Sequence, residues 1–314
     1  MSTQCLGFDT SNYTTSAAVF GNGTAENRGK LLTVPEGALG LRQSDALFQH
    51  VKRLHLMMER LRADGAVGEI AAVGASTRPR EVEGSYMPCF LVGEGEGRAL
   101  AAALGVPFYP CSHQQGHVAA AAWSAGREDL LDRPHLAWHL SGGTTELLRV
   151  EPEGHTVRAE VIGGTSDIAA GQLIDRAGVL LGLPFPAGKA LDALYPEADR
   201  ALNFRVKLDG LAFSLSGMEN KVKELLEKGE TPANIARFTL DTVTGVVIRA
   251  TQEAQRRWPG LPVLCSGGVA SNRQLRAAME KTCGAVFAQP QYSTDNALGV
   301  AILTHRALER GVTG

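Results

Sequence analysis

The chain lacks most of the features that mark a protein for a membrane, for export or for bulk nucleic acid. No apolar run reaches 18 residues among the 314, so no membrane-spanning helix is expected. Strand-forming residues begin within the first few positions, without a basic and then apolar leader, so no secretory signal is expected. The five cysteines, Cys5, Cys89, Cys111, Cys265 and Cys283, are odd in number, widely spaced and without a CxxC pair. That pattern argues against a disulfide framework and fits a reducing, cytoplasmic setting. The formal charge of −2 leaves no net electrostatic footprint for nucleic acid. An RNA would have to meet a local basic patch or be brought by a partner.

What is present is an ordinary globular composition, 44% hydrophobic and 20% charged, with ample material for a core. The length suits two lobes of about 150 residues each. Ser112-His113-Gln114-Gln115-Gly116-His117 follows a predicted strand, 106–110. Ser112 and Gln115 have the spacing of a capping box, which predicts a helix from here to about Ala125. His113 and His117 then share one helix face, close enough to hold one metal ion. The same spacing also suits a helix cap or a solvated pair. Metalloprotease helices read H-E-x-x-H, and Gln114 stands where their glutamate base would be, so a peptidase is the least favoured reading.

The chain begins with a strand at Leu6-Gly7-Phe8, a polar turn from Asp9 to Ser16 and a return strand at 17–20. Residues 21–40 read as strand and loop. A single amphipathic helix is predicted over 43–61, with Leu47, Val51, Leu54, Met58 and Leu61 on one face. A short buried strand over 70–74, a polar loop over 76–88 and a helix over 90–104 follow. The Gly93-x-Gly95-x-Gly97 run follows no strand and is a weak nucleotide loop. Residues 127–134 read as a linker, and the predicted lobes are 1–130 and 131–314, with a closing helix near 296–310 returning to the first.

After the linker the strand–turn–strand pattern recurs: 136–140, Ser141-Gly142-Gly143-Thr144-Thr145, then 146–150. Such an echo suggests two related halves, and two related lobes invite a ligand cleft between them. A helix over 167–181 carries Asp175. A turn spans 184–188 and a long helix 237–257. The strand 262–265 runs into Ser266-Gly267-Gly268 through Asn272 and a helix at 273–281, a strand–glycine–helix arrangement suited to an anion or to a plain tight turn.

Five stretches, in order, resemble the TsaD family of tRNA threonylcarbamoyladenosine synthesis proteins, formerly called O-sialoglycoprotein endopeptidases. They are Gly7-Phe8-Asp9-Thr10-Ser11, the His113–His117 pair, Ser141-Gly142-Gly143, Phe213-Ser214-Leu215-Ser216-Gly217, and Gly267-Gly268-Val269 through Asn272-Arg273 with Thr294-Asp295-Asn296. The resemblance covers roughly residues 5–306. It implies an α/β, two-lobed actin-like ATPase (ASKHA) fold with the ligand cleft between the lobes. By resemblance, His113, His117 and Asp295 would bind one divalent metal, Fe2+ or Zn2+. Leu140, Ser141, Gly142, Gly143 and Thr144 would form a phosphate- and substrate-holding loop. Asp175, Gly188 and Asp192 match positions around a nucleotide ribose. Gly268 and Asn272 match the nucleoside contact at the last helix start. ATP or an acyl-adenylate would be the cofactor, tRNA the acceptor, and either enzymes of the threonylcarbamoyl pathway or a second copy of the chain the protein partner. The resemblance assigns no residue as general acid or base.

The sequence also departs from the family. The acidic pair usual in the opening loop is replaced within Asn12-Tyr13-Thr14-Thr15. The family's Ser-Gly-Gly-His ends here in Thr144. Arg78-Pro79-Arg80 and residues 81–87 replace a glycine-rich segment, and Gln43 to His50 replace a Ser-Arg-x-x-His signature. These changes lead to the expectation of a divergent paralogue. It would be either a tRNA threonylcarbamoyltransferase, a carbamoyl-type or ATP-dependent enzyme with another acceptor, or a non-catalytic nucleotide-binding scaffold.

Overall fold

A computed structural model describes residues 3–11, 13–34, 41–202 and 204–313. Asn12, in the altered opening loop, and 35–40, the end of the predicted strand-and-loop stretch, lie outside the described residues. The chain separates into two compact units: Met1–Arg133 with Glu151–Ala159 and Thr294–Gly314, and Pro134–Val150 with Glu160–Ser293.

The first unit is built on a five-stranded sheet. Its strands are β1 (Gln4–Asp9), β2 (Thr14–Gly21), β3 (Thr24–Leu31), β4 (Ile70–Arg78) and β5 (Phe108–Ser112), in the order β3-β2-β1-β4-β5. β1 and β2 form the hairpin expected from the sequence, while β4 and β5 add in parallel to β1. Around them lie α1 (Gln43–Val51), α2 (Leu54–Ala63), α3 (Phe90–Leu104) and α4 (His113–Ser124).

The single helix expected over 43–61 is two. The chain breaks at Lys52–Arg53, where the Arg53 guanidinium donates to the Leu31 carbonyl at 2.7 Å and to Thr33 Oγ1 at 2.9 Å. The break changes the phase of the buried face. Ala46 and His50 face inward from α1, Leu54, Met57 and Leu61 from α2, and Val51 is left 49% exposed. The weak glycine run 93–97 lies inside α3 and is no nucleotide loop. Gly97 instead admits the Phe108 ring, which a Cβ there would meet at 2.8 Å. The linker expected at 127–134 is ordered: Glu128–Asp132 is a 3-10 helix that buries Leu130 and Leu131 completely.

A second sheet is formed by β6 (His135–Leu140), β7 (Thr145–Glu153), β8 (Thr156–Thr165), β9 (Leu208–Asp209), β10 (Ala212–Phe213), β11 (Val263–Ser266) and β12 (Val286–Phe287), all in the second unit except Glu151–Ala159 at the β7–β8 turn. The sheet order is β12-β11-β6-β7-β8-β10-β9, mixed parallel and antiparallel. Its helices are α5 (Ala170–Leu180), α6 (Gly188–Leu194), α7 (Ser216–Glu227), α8 (Pro232–Arg257) and α9 (Arg273–Cys283). α8 is largely buried, and Trp138 on β6 ties the sheet to it by donating its indole N–H to Thr251 Oγ1 at 2.8 Å.

The closing helix α10 (Leu298–Glu309) belongs to the first unit and crosses the β1–β4 pair. Gly7 and Gly74 face each other there in register. A Cβ on Gly7 would lie 2.5 Å from the Ala301 amide nitrogen, and one on Gly74 would overlap Thr304 Oγ1. Two bare backbones let the helix lie against the sheet. No helix among the described residues is long and apolar enough to cross a membrane.

Candidate metal centre and ligand pocket

The expected cap of α4 is present in full. Ser112 Oγ accepts from the Gln115 amide at 3.2 Å, and Gln115 Oε1 accepts from the Ser112 amide at 2.7 Å. The cap fixes the first turn, so His113 and His117 stand one above the other, with Nε2 atoms 2.8 Å apart. A second contact brings in the distant carboxylate. α4 and α10 cross at Gly116 and Gly299, and a Cβ on Gly299 would overlap the Gly116 carbonyl oxygen. Asp295 stands just ahead of α10 and is carried to the histidines by this crossing. Its Oδ1 lies 3.6 Å from His113 Nε2 and 3.3 Å from His117 Nε2.

The three donor atoms lie within 4.8 Å of one another. Metal–ligand bonds of about 2.0–2.2 Å at angles of roughly 90–110° place neighbouring donors roughly 2.8–3.6 Å apart, so the trio has the dimensions of a metal site. The electrostatics agree. Asp9, at the end of β1, is fully buried and lies 3.1 Å from His113 Nδ1. Burial alone would lower the His113 pKa. The charge of Asp9 and hydrogen bonds to Asp9 and Asp295 outweigh it and raise it to about 10. Burial likewise pushes the Asp9 and Asp295 carboxyls up; His113 with Ser76 holds Asp9, and His113 with His117 holds Asp295, below the ordinary value. Without a metal, a proton on His113 supplies the positive charge that this carboxylate pair is arranged to hold. Two imidazoles and a carboxylate fit Fe2+ or Zn2+.

In the second unit the loop after β6 closes tightly. The Ser141 amide donates to the Thr144 carbonyl at 2.8 Å, and the Thr144 amide to Ser141 Oγ at 3.0 Å. Gly267 has φ +97° and packs on the Leu140 backbone, where a Cβ would overlap the Leu140 carbonyl oxygen. Gly171 of α5 packs on Gly142 in the same way. The glycine-rich loops at 140–144 and 267–268 are thus in contact.

Beside them lies a pocket of about 420 Å³ lined by Gly142, Asp175, Gly188, Asp192, Gly268 and Asn272 among others. The remaining four residues matched to the nucleotide, Leu140, Ser141, Gly143 and Thr144, do not line it. Its apolar walls come from Ile174, Pro186, Leu240 and Val269, and Lys189 adds a cation. The carboxylates are engaged with the protein itself. Asp175 Oδ1 accepts from the Ala187 amide at 2.8 Å. Asp192 accepts from Asn272 Nδ2 and from Arg273 Nε, each at 2.8 Å. Asn272 Oδ1 caps α9 through the Leu275 amide at 2.9 Å.

The sequence reading missed two acids. Asp9 was visible only as part of a motif. Asp167 was read as the first residue of a helix, whereas α5 starts at Ala170. Asp167 accepts from the Leu215 amide at 2.8 Å, the Ser216 amide at 3.3 Å and Ser214 Oγ, and so organises the Phe213–Gly217 stretch.

Solved structures resemble this chain over nearly its whole length. HypF of T. kodakarensis matches with TM-score 0.62 at 15% identity, covering 98% of this chain and 48% of that one. A ROK hexokinase from Thermus thermophilus matches with TM-score 0.54 at 16% identity, covering 98% and 99%. At such identities they show the fold alone, the α/β actin-like ATPase architecture. Sequence relatives go further. A tRNA N6-adenosine threonylcarbamoyltransferase of Thermus thermophilus is 34% identical, over 84% of this chain and 79% of that protein. The Bacillus licheniformis protein of the same name is 30% identical, over 98% and 93%. A family model described as TsaD, tRNA N6-adenosine threonylcarbamoyltransferase, matches residues 40–302, and the chain belongs to that family of transferases.

Proposed function

We propose that the protein transfers a threonylcarbamoyl group from an adenylate to N6 of an adenosine in tRNA. Its family membership supports this reading, and the observation that carries it is the convergence of His113, His117 and Asp295. Those three side chains would hold one divalent ion, Fe2+ or Zn2+. The ion would supply Lewis-acid charge for a substrate oxygen.

The chain's own residues would bind and orient. The pocket beside Gly142 and Gly268 would take the adenylate, with Ile174, Pro186, Leu240 and Val269 against the purine and the polar residues at the ribose. In the transfer, the adenosine amine forms a C–N bond to the carbamoyl carbon. The bond from that carbon to the phosphate oxygen breaks, AMP leaves and the amine gives up a proton. Holding donor and acceptor in one geometry would provide much of the rate. An enzyme of the same pathway would make the adenylate in the cytoplasm and deliver it, and that enzyme or a second copy of the chain would be the protein partner.

A strain deleted for its own family member tests the reading. Expression of this chain should restore threonylcarbamoyladenosine in tRNA, read by mass spectrometry of digested nucleosides. Abundant folded protein with no modified adenosine would sink it. No observation favours a different acceptor.

A further inference from the structure

Among the described residues, Asp9 is the one carboxylate beside the His113–His117–Asp295 group that no assignment uses. It ends β1, is completely buried, and is met by three polar groups. Ser11 Oγ donates to Oδ2 at 2.8 Å, Ser76 Oγ on β4 donates to Oδ1, and His113 Nδ1 lies 3.1 Å from Oδ2. Burying a carboxylate is expensive unless its lone pairs are filled. A strand end that only had to join β1 to β4 could use a neutral residue. A carboxylate accepts and does not donate, so the ring nitrogen facing it must carry the proton. The other ring nitrogen, Nε2, is then the one left to give its lone pair to a cation in place of a proton, and it is the one turned to His117 and Asp295. The Phe90 ring packs edge-on to the imidazole, with centroids 6.2 Å apart, and limits its rotation.

We propose that Asp9 is the positioning residue of the metal centre. It fixes His113 with the proton on Nδ1 and presents the Nε2 lone pair to the cation. The opening hairpin thereby serves the centre from behind, and Thr14 Oγ1, 3.5 Å from Asp295 Oδ2, extends the same support to a second ligand. Such outer carboxylates typically change metal affinity about 10–100-fold. The proposal rests on His113, His117 and Asp295 binding a metal.

The test uses the full chain and Zn2+. Competition with a chromophoric chelator measures zinc affinity for the wild type, Asp9→Asn and Asp9→Glu, with thermal unfolding recorded alongside. Asp9→Asn should bind zinc about 10–100-fold more weakly while remaining folded, and Asp9→Glu should recover part of the loss. Nitrogen-15 NMR of the zinc-loaded wild type, with His113 assigned from the His113→Ala spectrum, should show Nδ1 protonated and Nε2 bound. That measurement decides the matter even if Asp9→Asn does not fold. Unchanged zinc affinity in a folded Asp9→Asn, or zinc on Nδ1 of the wild type, overturns the role of Asp9 alone. A wild type that binds no zinc overturns the metal reading and this inference together.

Discussion

The two units hold their candidate ligands by different means. In the first, two side chains from one helix and a third from about 180 residues further on bring one atom each to a common point, and the distances to that third atom depend on a helix crossing. In the second, turns and helix starts shape a pocket, and the acids nearest to it are bound to the protein's own backbone and side chains. A metal would need specific donor atoms placed to a few tenths of an ångström, and the candidate donors stand on α4 and just ahead of α10. A nucleotide would offer a larger surface to contact, so glycine loops that allow close backbone approach would suffice for much of the work. The acids differ accordingly: Asp295 is aimed at the candidate ion, whereas Asp192 secures Asn272 and Arg273.

The largest expected effect comes from removing a ligand. His117→Ala should abolish stoichiometric metal, measured by elemental analysis, and reduce transfer at least about 1000-fold, the scale of losing a metal's charge stabilisation. AMP binding in the second unit should stay within about twofold, measured by calorimetry. Loss of both together would break the contrast. Next comes the helix crossing. Gly299→Ala forces a methyl group into the Gly116 carbonyl and should cost about 1–3 kcal/mol of stability and at least tenfold in metal affinity. Gly116→Ala meets Val300 Cγ2 at 3.5 Å, the Val300 amide nitrogen at 3.7 Å and the Gly299 carbonyl carbon at 4.0 Å, all ordinary contacts, and should be nearly silent. Equal effects from the two glycines would mean that the crossing does not set the site.

Much of the fold was legible because its signals are local. The Ser112–Gln115 cap, the α3 boundaries and the strand at Val263–Ser266 follow from spacing and composition within a few residues. The break at Lys52–Arg53 was not legible, because no glycine or proline marks it; bonds from Arg53 to Leu31 and Thr33, some 20 residues earlier, accompany it. The histidine pair could be read from one helix. Asp295 could not, since nothing in its own neighbourhood points to a helix about 180 residues away, and only the resemblance joined them. The engagement of Asp192 was hidden for the same reason: an acid on a short helix reads as solvated until its partners are seen.

His50 sharpens the comparison from the side of the first unit, where a second layer of buried polar groups backs the candidate centre. Its ring is completely buried, and Nδ1 lies 2.8 Å from Thr15 Oγ1. Burial, helped by the nearby Arg53 charge and opposed by Asp9, pulls its pKa down to about 4. The folded protein therefore keeps His50 neutral, while the unfolded chain takes up a proton below about pH 6.5. Stability from this group is complete above about pH 6.5 and is lost as the pH falls towards 4, by about 2 kcal/mol at pH 5. Urea unfolding at pH 7.5 and pH 5 should show wild type losing about that much more than His50→Gln. Equal losses would mean that the ring is not held neutral.

The smallest effect tests the second unit. Asp192→Ala releases Asn272 Nδ2 and the Arg273 guanidinium, but leaves Asn272 Oδ1 capping α9 and the glycine loops in place. If Asp192 works by holding Asn272 towards the pocket, AMP affinity should fall about tenfold, the loss of one or two hydrogen bonds at about 1.4 kcal/mol. Asp192→Asn should lose less, because its amide oxygen still accepts from one of the two donors. Metal content should not move in either variant. Unaltered AMP affinity would show that backbone shape alone makes the pocket, an even sharper contrast with the side-chain site. A fall in metal content with Asp192→Ala would show that the two sites are coupled and that the contrast between the units is false.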